Sequence, residues 1–234
     1  MQLGEDTTTM SMTLNPVNEA AFQKAVQSLE TLNRAAVFHP TGTGKSCIAW
    51  KVVEAHPQTT FFWLVAGAQR LALRQAELTR YNGGTLPGNV RFCDCEKLAA
   101  ATPEQWVRLG EQKPGCIVLD CYHELSAVCW AQSVQKLLRM CPQAKVLGLG
   151  VPNGAPVCAA AQELFADCIV SHMTVAEAMA AGTMPVPSAY AALLWPQEEE
   201  LATLRARIKN LCMPKGDTSL RVQYEELSWS LRQV

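Results

Sequence analysis

The chain has no apolar run approaching the ~20 residues needed to cross a bilayer, so no membrane-spanning helix is expected in its 234 residues. It has no excess charge of either sign: 20 Lys and Arg face 21 Asp and Glu, for a formal net charge of −1. That balance excludes a strong non-specific pull on nucleic acid, which needs clustered cations. Arg70, Arg74, Arg80 and Arg91 remain as contributors to any local basic patch. There is no C-x-x-C pair and no Cys/His cluster at zinc spacing, which excludes the common structural zinc motifs. Of the 10 cysteines, the single close pair is Cys93-x-Cys95, and Cys93, Cys116 and Cys168 fall in apolar, strand-like runs. With no secretory signal read at the N-terminus, reduced thiols in a cytoplasmic protein are expected. No internal repeat is seen.

What is present is apolar material at 49%, enough for one large α/β domain or a domain with a helical appendage. Residues 1–14 are rich in Thr, Ser and Met without periodicity, and are expected to form a loose leader. From Asn15 to Leu32 the apolar residues recur at helical spacing, opened by Asn15-Pro16 as cap and first turn. Short apolar runs follow at 35–38, 59–66, 90–94, 116–120, 145–150 and 168–171, as strand candidates. Helix-like stretches lie between them near 45–55, 68–80, 103–110, 124–140 and 157–165. Strands alternating with helices predict a three-layer α/β domain with a mostly parallel sheet covered on both faces. The domain is expected over 15–187, ending at the linker Met184-Pro-Val-Pro187. A C-terminal helical extension over 188–234 follows, with helices at 196–211 and 218–233.

The densest signal is Ala35-Ala-Val-Phe-His-Pro-Thr-Gly-Thr-Gly-Lys-Ser46, an apolar strand running into a glycine loop and then a helix-compatible segment. That is the context of a phosphate-binding P-loop. Gly42 and Gly44 let backbone N–H groups converge on an anion, with Thr41 and Thr43 completing the turn. Lys45 would reach the β and γ phosphates of ATP, and the Ser46 hydroxyl would ligate Mg²⁺. One position departs from G-x-x-x-x-G-K-[ST]: His39 stands where the first Gly belongs. A P-loop domain also needs an apolar strand ending in Asp for the Mg²⁺ shell, and Cys116-Ile-Val-Leu-Asp120 has that form. A strand-end Asp capping the next turn is the plainer alternative for Asp120.

The order of these elements resembles the superfamily 2 helicases of the DEAD/DEAH-box type, over roughly residues 15 to 195. Besides the loop, Phe61-Phe-Trp-Leu-Val65 leading to Gln69 through Gln75 is similar to motif Ia, and Arg91 through Leu98 to motif Ib. Lys145-Val-Leu-Gly-Leu-Gly150 sits where motif III lies, and Met173 through Pro187 matches the passage out of the first RecA-like domain. The resemblance implies a RecA-like ATP-binding domain using ATP and Mg²⁺. It also implies nucleic-acid contacts from Arg74 and Gln75, DNA more than RNA, and a second RecA-like domain that supplies arginine fingers.

Three departures restrict that expectation. The family's Asp-Glu-x-His becomes Asp120-Cys121-Tyr122-His123, so a thiol replaces the carboxylate that orients the attacking water, and such a loss costs ~10²–10⁴ in rate. Glu124, three residues later, is the candidate substitute base. Motif III has Gly150-Val-Pro-Asn153 in place of its hydroxyls. No second RecA-like domain is read before Val234, although an arginine finger is worth ~10³–10⁵ in turnover. Three readings therefore stand: an ATP-binding domain with weak or no hydrolysis and no autonomous unwinding; an active ATPase half completed by a partner chain; and a non-catalytic interaction module. Trp63, Trp130 and Trp195 are expected to pack, and His39 to pack at the mouth of the loop.

Overall fold

The structure, a computed structural model, describes residues 12–120, 122, 128–152 and 164–185, together with 202, 203 and 206. The chain divides into two compact units, Met1–Val186 and Pro187–Val234. In the second, residues 202, 203 and 206 are helical. The rest of the expected helices at 196–211 and 218–233 lies outside the described residues, as do the leader up to residue 11, the helix-like stretch over 157–163, and Trp195.

The first unit is a three-layer α/β domain. Its described elements run α1 (Pro16–Thr31), β1 (Arg34–Phe38), α2 (Lys45–Ala55), β2 (Phe61–Val65), α3 (Ala68–Tyr81), β3 (Val90–Asp94), α4 (Cys95–Ala99) and α5 (Pro103–Glu111). They continue with β4 (Cys116–Asp120), α6 (Val128–Met140), β5 (Lys145–Gly150), β6 (Ile169–His172) and α7 (Val175–Ala180). The six strands form one sheet in the order β3-β2-β4-β5-β1-β6, and every pairing is parallel. All strands therefore end at one edge. There β5 separates the strand that feeds the glycine loop from the strand that ends in Asp120. From neighbouring β1 and β5 the chain leaves in opposite directions across the sheet, the arrangement that opens a crevice at the carboxyl ends of strands.

Near-continuous apolar strands suit a sheet buried on both faces, and the period of two divides their side chains between two cores. Ala35, Val37, Trp63, Val65, Val118 and Leu149 face α1, α2 and α3, where Ala25, Ile48, Val52 and Leu78 are buried. Phe38, Phe62, Leu64, Leu119 and Val146 face the other way, onto Leu98, Trp106 and Leu137 of α4, α5 and α6, and onto Phe165. Two glycines of β5 serve this packing. A Cβ on Gly148 would stand 2.6 Å from the Phe165 ring, and one on Gly150 would collide with Phe38. Gly148 and Gly150 thus have a steric role in the core.

The strand candidates match the observed strands within two residues. The run at 59–66 shortens to Phe61–Val65, because the Thr59 N–H turns back to the His56 carbonyl. Cys168 is a correction: it closes a 3-10 turn (Ala166–Cys168) and is half-buried, not strand-buried. Two short helices carried no periodic signal. α4 starts on Asp94, whose side chain accepts from the Glu96 N–H, and α7 starts on a Thr174/Glu177 capping box. At five and six residues they are too short for a hydrophobic stripe to be read. Cys47, Cys93, Cys95, Cys116, Cys141 and Cys168 are free thiols.

Candidate functional site

The loop leaves β1 at Phe38 and ends at Gly44, the N-cap of α2. Gly42 and Gly44 take left-handed backbone conformations, φ +87° and +88°, which L side chains adopt at a cost. Gly44 is doubly required, since a Cβ there would stand 2.8 Å from Asn18 Nδ2. The loop is braced from inside and behind. Thr43 Oγ1 donates to the Pro40 carbonyl at 2.8 Å, and Asn18 Nδ2 of α1 donates to the Thr43 carbonyl at 2.8 Å. Thr43 and Asn18 are buried, whereas Thr41 and Gly42 are exposed at the rim. The Lys45 ammonium spans the loop, donating to the carbonyls of His39 and Pro40 at 2.8 Å each. The Cys47 and Ile48 N–H groups bond the Gly44 carbonyl, and the loop before them brings backbone N–H groups, a helix dipole and a lysine to one place.

His39 fills the position of the expected glycine and is fully buried. Its N–H donates to the Gly150 carbonyl at 3.2 Å, and its Nε2 is 2.7 Å from Ser171 Oγ, so it ties the loop to β5 and β6. Among the described residues its Nδ1 has no hydrogen-bond partner. Burial, then Lys45 and His172 nearby, pull its pKa down to about 4, and the ring is neutral at pH 7.

Asp120 ends β4 and is buried on the α2/α3 side. Arg74 of α3 grips it: Nε donates in a short contact to Oδ2, and Nη2 lies 3.4 Å from Oδ1. The indole Nε1 of Trp63, in β2, donates to the same Oδ2 at 3.1 Å. Arg74 Nη1 reaches Ser46 Oγ at 3.2 Å and Glu77 Oε2 at 2.5 Å. Side chains on a helix lean toward its N-terminus, which carries Arg74 back up to the strand edge. Burial weighs against its charge, but Asp120 and then Glu77 outweigh burial and hold its pKa above the ordinary value.

The structure therefore brings Ser46 and Asp120 together through Arg74, with Lys45 on the same loop. A hydroxyl and a carboxylate are hard oxygen donors of the type Mg²⁺ takes, but both are already engaged by Arg74. Arg74 stands at this centre, bonded to Asp120, Ser46 and Glu77, and Gln75 is half-buried on α3. Cys121, His123 and Glu124 lie outside the described residues. Burial pushes Cys93, Cys95 and Cys116 up to about 12, which leaves them inert as nucleophiles. Sequence reasoning missed Asn18, the Trp63 indole as a donor to Asp120, and Glu77. An Asn in the first turn of a helix reads only as a cap, and a Trp in a strand only as packing.

The sequence matches no family model, and no curated protein matches it. Among solved structures it is similar to domain III of the Thermotoga maritima replication initiation protein DnaA. The identity is 12%, over 100% of this chain and 95% of that one, with a TM-score of 0.42. A likeness that loose carries no weight beside the sheet order and the loop geometry.

Proposed function

We propose that this chain is an ATP-binding domain of the helicase-like P-loop type, with weak or no hydrolysis and no autonomous unwinding. The observation that supports it most is the preformed loop: left-handed Gly42 and Gly44, a buried brace from Asn18, and Lys45 spanning the turn. In this reading the loop N–H groups and Lys45 bind the phosphates, and Ser46 and Asp120 lie where such a site places its cation, both already bonded to Arg74. A cation held there would neutralise phosphate charge. Thr43 and Asn18 keep the loop open so that little ordering is left to pay on binding. Weak turnover follows from Cys121 at the position of the water-orienting carboxylate.

Calorimetric titration with ATP tests the reading. Saturable binding that is lost in Lys45→Ala supports it, and no heat at millimolar ATP with or without Mg²⁺ overturns it. Cys121→Glu should raise phosphate release by up to ~10²–10⁴. DNA-stimulated turnover by the unaltered chain would instead favour a working ATPase half.

A further inference from the structure

The two groups suited to a divalent ion are both bonded to one guanidinium. Arg74 puts Nε and Nη2 on the two Asp120 oxygens and Nη1 on Ser46 Oγ, and Glu77 holds Nη1 from the next turn of α3. This is a fixed, forked cation seated where a P-loop otherwise places a hydrated metal. Mg²⁺ asks for near-octahedral oxygen coordination and sheds its water reluctantly. To reach Ser46 and Asp120 it would have to displace a bidentate, charge-assisted pair whose acid is almost fully buried. A guanidinium is more weakly hydrated, and its planar fork suits phosphate oxygens as well as carboxylates.

We propose that Arg74 is the resident counter-cation of this site, taking the place of the divalent ion, so that a nucleoside triphosphate binds without requiring Mg²⁺. The proposal rests on the reading of the 39–46 loop as a triphosphate site. Arg74 neutralises Asp120 before the ligand arrives, which removes the repulsion that a bare carboxylate would exert on the γ-phosphate. It also keeps Ser46 Oγ turned toward the guanidinium.

The test is the affinity for ATP, by calorimetry, in excess Mg²⁺ and in EDTA, for the wild type and Arg74→Gln. The wild-type dissociation constants should agree within about 3-fold, because the counter-charge is already in place. Arg74→Gln should bind about 10-fold or more weakly in EDTA than in Mg²⁺, since Ser46 and Asp120 are then open to the ion. A wild type that loses about 10-fold or more in EDTA overturns the proposal while leaving the phosphate loop intact. An Arg74→Gln variant with the small wild-type ratio also overturns it. ATP binding in neither condition overturns the phosphate-loop reading itself. Thermal melting establishes whether Arg74→Gln is folded, and if it is not, the wild-type ratio alone decides.

Discussion

The glycine loop and the Asp120 corner share one edge of the sheet, yet they are built from different materials. The loop is mostly backbone. Its shape comes from two left-handed glycines, from carbonyls that receive Lys45 and Thr43, and from the brace of Asn18. The corner is all side chain. Asp120 of β4, Trp63 of β2, Arg74 and Glu77 of α3 and Ser46 of α2 meet there from four elements. The loop is held by its own carbonyls and by ties to α1, β5 and β6. The corner is already satisfied by its own cation. In the reading proposed above, such a site is open toward phosphate and closed toward metal.

The comparison breaks most visibly at Asp120. Asp120→Ala leaves Arg74 and the Trp63 indole facing an empty acceptor position, and should destabilise the fold by ~3–5 kcal/mol in denaturant titration. Asp120→Ala with Arg74→Met should recover part of that loss, because the uncompensated charge goes with it. An additive double mutant would show that the two side chains do not act as a pair.

His39 links the loop to β5 and β6, and its effect is read by pH. Its folded pKa of about 4 lies below the ordinary 6.5, so the unfolded chain binds the extra proton first. Its contribution is complete above about pH 6.5 and declines as pH falls toward about 4, by up to roughly 3 kcal/mol. His39→Gln should flatten stability against pH across that window, and an unchanged slope would deny the burial effect.

Gly44→Ala should cost ~1–2 kcal/mol for left-handed strain, with a further loss from the approach to Asn18 Nδ2. It should weaken ATP binding far more than it lowers the melting temperature. Gly42→Ala meets nothing within 4 Å and should show the strain alone. The smallest effect is expected for Asn18→Ala, ~1 kcal/mol for one hydrogen bond, with a modest loss of ATP affinity. Should Asn18→Ala exceed Gly44→Ala in either measurement, the loop depends on its brace more than on its glycines.

Legibility in the sequence follows the same division. The six strands and the longer helices of the described residues were readable, since continuous apolar runs and 3.6-residue spacing survive in one dimension. The helix at 45–55 matches to the residue because a glycine N-cap and an apolar run mark it locally. The loop itself was readable down to Lys45 and Ser46. Arg74 was readable only as a charge on a helix. Nothing around position 74 encodes that β4 ends beside it, 46 residues later in the chain. Trp63 and Asn18 were hidden for the same reason: their polar atoms matter through partners on other elements.

The sequence by itself determined a parallel α/β domain and a glycine loop preceding α2, because periodicity and left-handed turns are local properties of the chain. The tertiary structure alone decided what occupies the oxygen donors beside that loop. Which cation meets Asp120 and Ser46 depends on how β2, β4, α2 and α3 converge at the sheet edge, and that convergence is set by packing between segments far apart in the chain.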